Sequence, residues 1–336
     1  MIVAIDTRFS KTYQEFIYQC FKIITANHPK HTFIFLADTE FDLSFNSTGN
    51  IIPVIVKQTK IYLLSQLKTS SLLKKYKADI FVTGQLQNTN IPQCLVALNK
   101  TGFKSLRRAK VIVTDSEFSK NQITEKYNLV ETRVDVVYNG VDENFQPVEL
   151  DEKEKIKEQY ADGNEYFLSA VTTTPGLLNL LKAFSIFKKM QKSNMQLLIT
   201  AEAGMITEFS EALRLYKFKS EVKLIENIEK KQLLGITGAA YAFVYMEEEY
   251  FHVFPAMRSN VPVITTDSDL MHEIAGDAAL YFSGNDHKDL ADKMMLVYKD
   301  ENLRQQLIEK GREQEKKYSW YNSAELLWKA IEKAAN

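Results

Sequence analysis

Residues 1–6 (MIVAID), 31–37 (HTFIFLA), 50–56 (NIIPVIV), 78–83 (ADIFVT), 109–114 (AKVIVT) and 134–139 (VDVVYN) are short apolar runs rich in β-branched side chains. Such runs predict buried strands. Longer stretches with apolar residues at helical spacing lie between most of them, as at 12–26 and 60–77. Strand–helix alternation implies right-handed crossovers, and hence a parallel sheet with helices on both faces. The pattern then repeats. Strands are predicted at 166–171, 196–200, 222–226, 241–245, 261–265 and 279–282, with helices between. The stretch 139–155 (NGVDENFQPVELDEKEK) holds Gly140, Pro147 and a dense run of charge, and reads as a linker. One amphipathic helix is predicted over 321–335. The chain is therefore expected to be α/β, with two Rossmann-like domains at 1–145 and 146–316 and a C-terminal helix at 317–336. In such sheets ligands bind beyond the carboxyl ends of the strands.

Composition narrows this picture. The chain has 336 residues, of which 45% are hydrophobic and 25% charged, with a net charge of −1. That is enough apolar mass for two cores, and it excludes disordered and collagen-like chains. No stretch approaches the ~20 apolar residues of a membrane span. The opening MIVAIDTRFS lacks a basic segment leading into a long apolar one, so no signal peptide is expected and the location is read as cytoplasmic. Cys20 and Cys94 are the only cysteines, which fits a reducing compartment and excludes a disulfide framework. Glycine is scarce, with 12 in the whole chain, about half the ~7% average.

Charge is uneven. Residues 1–145 carry a net +5 and the remainder −6. Between 43 and 114 there are 11 basic residues and a single acid, Asp79. Lys57, Lys60, Lys68, Lys74, Lys75 and Lys77 form one group, and Lys100, Lys104, Arg107, Arg108 and Lys110 another. This is either solubilising charge on helix faces or the footprint of an anionic acceptor or acidic membrane surface, with the protein peripheral at the inner membrane face. A nucleic-acid partner is not expected, because no aromatic-interleaved basic motif or zinc-finger spacing is present.

Four blocks share a resemblance. They are VIVTDSEFSKNQITEKYNLVETRVDVVYNGVDENFQP, YFLSAVTTTPGLLNLLKAFSIFKKM, AMRSNVPVITTDSDLMHEIAGDAALYF and the tail ENLRQQLIEKGREQEKKYSWYNSAELLWKAI. In this order they resemble the family-4-type, or group 1, glycosyltransferases of the GT-B fold. The resemblance is near continuous from about residue 110 onward. It implies two Rossmann-like domains facing across a cleft, with the C-terminal helix packing back on the first. Asn139 and Gly140 fall at the hinge. It further implies retaining transfer of a sugar from a nucleotide-sugar to an acceptor, with no metal and no cofactor beyond the nucleotide-sugar itself.

The family meets the leaving diphosphate with a glycine turn after the first strand, an Arg and a Lys after the first strand of the second domain, a histidine in the first domain and a Glu-x7-Glu pair. This chain differs at each. FSKTYQEF follows the first strand, and no histidine lies between His31 and His252. After YFLSAV come Thr172, Thr173 and Thr174, which offer hydroxyls and N–H groups without positive charge. Eight residues on from Glu247 stands Pro255 rather than Glu, and Glu249 is taken as the best match to the first glutamate, with about three residues deleted. Arg258 and Glu273 complete the expected donor-binding set, and Arg107 and Arg108 are further candidate cations. Asp267-Ser268-Asp269 reads as a helix cap, as does Ser116 with Ser119. His252 and His272 complete no metal set. Tyr318, Trp320, Tyr321 and Trp328 are expected to anchor the last helix by packing. The alternative to an active transferase is a pseudo-glycosyltransferase that binds a protein partner, since fold alone does not carry chemistry.

Overall fold

The computed structural model describes residues 1–38, 49–56, 62–98, 106, 108–201, 204–247 and 249–336. Lys57, Lys60, Lys100, Lys104 and Arg107 of the two basic groups, and Glu248, lie outside them. The chain forms two compact units, 1–140 with 318–336 and 141–317, so it crosses between them twice.

The first unit opens with β1 (Ile2–Asp6), α1 (Lys11–Asn27), β2 (Thr32–Ala37) and β3 (Ile51–Ile55). It continues through α2 (Tyr62–Lys75), β4 (Ile80–Thr83), β5 (Gln93–Val96), β6 (Val111–Thr114), α3 (Glu117–Tyr127) and β7 (Val134–Val136). The strands form one parallel sheet in the order β3-β2-β1-β4-β5-β6-β7. The six runs read as strands all enter it. β5 was not foreseen, because its QCLV opens on a polar residue and follows Pro92. It is nonetheless buried on both faces, with Cys94 and Val96 in one core layer and Leu95 in the other.

The second unit runs through α4 (Leu150–Ala161), β8 (Tyr166–Ala170), α5 (Thr174–Gln191), β9 (Gln196–Thr200), α6 (Ile206–Arg214), β10 (Val222–Ile225) and α7 (Lys230–Gly238). It closes with β11 (Ala242–Tyr245), α8 (Val253–Arg258), β12 (Val263–Thr266), α9 (Asp269–Ala275), β13 (Ala279–Phe282), α10 (His287–Lys299) and α11 (Glu301–Glu315). Its parallel sheet has the order β10-β9-β8-β11-β12-β13. Phe167, Phe184, Phe187, Val244 and Met294 fill the layer between this sheet and α5 and α10. The linker reading is corrected at its end, where 150–155 is the start of α4. Two acids in its first turn complement the helix dipole, and Ile156 and Ala161 are buried.

The last helix, α12 (Trp320–Ala335), returns to the first unit and packs on α1. Leu327, Trp328 and Ile331 join Phe16, Phe21 and Phe33 in one core. Tyr318 packs edge-on against Tyr138, with 5.3 Å between ring centroids. Tyr321 is exposed, so it does not serve as one of the anchors. A Cβ on Gly140 would sit 2.5 Å from Trp320 Cγ, so the first turn of α12 needs a glycine there. Its neighbour Asn139 is buried.

Candidate functional site

Each sheet reverses strand order once, between β1 and β4 and between β8 and β11. Such switch points open a crevice at the carboxyl ends of the strands. In the first unit this crevice is filled. Ser10 Oγ accepts the Tyr13 N–H at 3.4 Å, capping α1. The Phe9 and Tyr13 rings crowd Gly84 so closely that a Cβ there would meet both at 3.0 Å. Burial first, then the charge of Asp6 and the nearby Cys94, push the Tyr13 phenol well above its ordinary pKa. Arg8 donates from Nε and Nη2 to the two Asp6 oxygens, at 2.7 Å each, and from Nη2 to Thr69 Oγ1 at 3.1 Å. Side-chain exposures of 6% and 1% mark Arg8 and Asp6 as a buried, bidentate pair. Arg8 is thus engaged internally where a glycine turn would leave open space. Sequence reasoning passed over this pair, and its only signal was an Asp-x-Arg at a strand end.

The second crevice brings several expected residues together. Thr173 Oγ1 accepts the Gly176 N–H at 3.2 Å and caps α5, while Pro175 stands in its first turn. The Thr172 N–H donates to Glu247 Oε1 at 3.0 Å. A Cβ on Gly176 would lie 3.5 Å from the same carboxylate oxygen. A glutamate from the end of β11 therefore covers the positive end of α5, where a helix of 18 residues attracts an anion. Thr174 Oγ1 is buried there without a hydrogen-bond partner among the described residues.

Glu249 is exposed, next to the buried Tyr250, which packs edge-on against Phe254 at 5.4 Å. The glutamate that meets the head of α5 is Glu247, and Glu249 stands outside that contact. The phenol of Tyr245, at the end of β11, is pushed up by burial and further by Glu249 and Glu247.

Arg258 is not gathered at this point. α8 runs back from the carboxyl edge of β11 toward the start of β12, so its last residue, Arg258, lies at the opposite edge of the sheet. Arg258 Nη1 pairs there with Glu315 Oε2 of α11 at 2.9 Å, which corrects the expectation of a donor-binding arginine. Glu273 is half-buried on α9, one strand farther along the sheet. α9 is capped by Ser268, whose Oγ accepts the Met271 N–H at 3.3 Å. Asp267 meets the His272 ring at 2.7 Å, and that ring stacks on Tyr281 at 3.9 Å. Among the described residues, no Lys or Arg shares a hydrogen bond or ion pair with Thr172, Thr173, Thr174 or Glu247. No group of three or more His, Cys, Asp and Glu among them is placed to hold a metal, and no helix is long and apolar enough to cross a membrane.

Comparison with known proteins places this geometry. Residues 151–314 match the family model described as glycosyl transferases group 1. The chain is 28% identical over 191 residues to the O-antigen chain mannosyltransferase RfbU of Salmonella typhimurium, a match covering 55% of this chain. The matched stretch is 50% of that relative's length. A glycosyltransferase structure from Rickettsia africae aligns over 99% of this chain and 97% of its own, with a TM-score of 0.78 at 16% identity. Anabaena Alr3699/HepE in complex with UDP-glucose aligns over 99% and 98%, with a TM-score of 0.75 at 12% identity. The region 151–314 belongs to the group 1 glycosyl transferases, carried on a chain of two Rossmann-like domains with the GT-B fold.

Proposed function

We propose that the protein transfers a sugar, with retention at the anomeric carbon, from a nucleotide-sugar to a saccharide acceptor. One observation carries the reading: the capped head of the long helix α5 stands at the switch point of the second sheet. Developing charge on a leaving diphosphate is met there by backbone N–H groups and the helix end. UDP-glucose bound to a neighbour of like fold supports a nucleotide-sugar donor. A relative named for O-antigen chain mannosyl transfer supports a saccharide acceptor. The reaction is read as metal-independent. We place it in the cytoplasm against an anionic acceptor or membrane face, supported by the exposed Lys68, Lys74, Lys75 and Lys77 along and just after α2.

A second reading, a catalytically silent relative that binds a protein partner, is favoured by the contact at that helix head. Glu247 already occupies the Thr172 N–H, and no cation joins it among the described residues. Losing one preorganised donor costs ~10²–10³ in rate. The test is thermal unfolding with millimolar UDP-, GDP-, ADP-, CMP- and dTDP-sugars, followed by assay of nucleotide release. A ligand at 100 times its Kd adds ~2.7 kcal/mol. A shift with one donor and release of its nucleotide supports the transferase. The absence of any shift from a folded sample removes the donor reading and leaves the silent one.

A further inference from the structure

A second polar hollow lies in the first unit, at the edge of the sheet opposite its filled crevice. It encloses about 460 Å³ and is lined by the loop 87–93 together with Arg108, Lys110 and Arg133. Gln93 opens β5, Lys110 immediately precedes β6, and Arg133 immediately precedes β7. All three therefore sit where strands begin, and a four-residue strand separates the two edges by about 13 Å.

The walls are held by the backbone. The buried side chain of Gln93 donates from Nε2 to the Gln87 carbonyl at 2.9 Å, and its Oε1 accepts the Gln87 N–H at 2.8 Å. The Lys110 N–H donates to the Gln93 carbonyl at 3.0 Å, and Ser70 Oγ donates to the Asn88 carbonyl at 3.1 Å. The Arg133 guanidinium donates from Nη2 to the carbonyl of Ala109, which also lines the hollow. Two loops and a strand start are thus tied together before any ligand arrives.

The charge of this hollow is one-sided. Three cations line it and no carboxylate does. Arg108 and Lys110 are exposed, and neither side chain has a hydrogen bond or ion pair among the described residues. Gln87, whose backbone N–H and carbonyl are held by the Gln93 side chain, adds a neutral amide to the lining. Like charges gathered round a concave polar surface repel one another and attract an anion. Arginine forks suit phosphate oxygens in particular.

We propose that this hollow binds a phosphate or diphosphate group, as a site separate from the crevice at the head of α5. The inference does not depend on the transferase reading, since no residue is shared. The same chemistry is offered by a free phosphorylated metabolite and by a lipid headgroup.

The test uses the full chain and inorganic pyrophosphate, titrated by calorimetry at low salt. Arg108→Gln with Lys110→Gln should weaken binding at least tenfold, with circular dichroism and Tm unchanged because both side chains are exposed. Arg133→Lys, which keeps the charge and loses the fork, should weaken it to a smaller extent. Binding in the wild type should decline as salt rises. Co-sedimentation with phosphatidylglycerol vesicles separates the sources. Loss of vesicle binding in the double variant assigns the site to a headgroup, whereas pyrophosphate binding without vesicle binding assigns it to a free phosphate. Absence of pyrophosphate binding in the wild type, or equal affinity in the double variant, overturns the proposal.

Discussion

Glu247 shows what a single residue decides at the candidate site. Its carboxylate accepts the Thr172 N–H at the head of α5, so an incoming diphosphate competes with a resident negative charge. Removing that charge while keeping the shape, as in Glu247→Gln, should tighten nucleoside diphosphate binding about threefold, since an anion at a helix terminus is worth ~0.3–1 kcal/mol. Calorimetric titration with UDP and GDP checks the direction, and weaker binding would mean that Glu247 holds the ligand rather than blocking it. The threonines and the acidic loop were legible in the sequence because they stand at fixed places after apolar runs. Arg258 was misplaced because sequence distance does not tell which edge of a sheet a returning helix reaches. The two thiols make a simpler case. Cys20 and Cys94 are buried, and burial raises both above their ordinary pKa, Cys94 to about 12. Neither should react with a thiol reagent at pH 8 until the chain is unfolded, and prompt reaction of the native protein would refute the packing around them.

At the scale of elements, caps connect local sequence to the position of the site. α5 begins at Thr174 because Thr173 satisfies a free N–H and Pro175 suits a first turn. Thr173→Ala should cost about 1 kcal/mol, read as a lower urea midpoint with an unchanged slope, and Thr173→Ser should restore most of it. Unbroken apolar runs rich in β-branched side chains announce strands, which is why twelve of the thirteen among the described residues were legible, including the edge strand β3 with Ile52 and Ile55 exposed. β5 escaped because burial acts on Cys94, Leu95 and Val96, while its flanks, Pro92 and Gln93, read as a turn. α4 escaped for the converse reason. Its surface is so densely charged that the pattern looked like a linker, and its packing rests on few side chains, Ile156 and Ala161 with the stem of Lys157, which is itself ion-paired to Glu154 and Glu165.

For the molecule as a whole, the decisive feature is that the chain leaves its first unit at Gly140 and comes back to it at Tyr318. The second unit, 141–317, holds its own sheet and its own core. The first is incomplete without α12, because Leu327, Trp328 and Ile331 are at most 3% exposed within its core. Burying three such side chains is worth roughly 5–9 kcal/mol, which is comparable to the 5–15 kcal/mol that holds a typical domain together. A fragment of residues 141–317 should therefore fold alone and give a dispersed amide spectrum, whereas residues 1–140 should not. Adding a peptide of residues 318–336 to the latter should recover cooperative unfolding, because the missing contacts come from one contiguous helix. Gly140→Ala tests the same dependence in the intact chain. The new methyl would collide with the first turn of α12 at Trp320, so the first unit should lose about 1–3 kcal/mol while the second keeps its stability. Two unfolding transitions, of which only one moves, would be the calorimetric sign. A uniform shift of a single transition would show instead that the two units unfold as one.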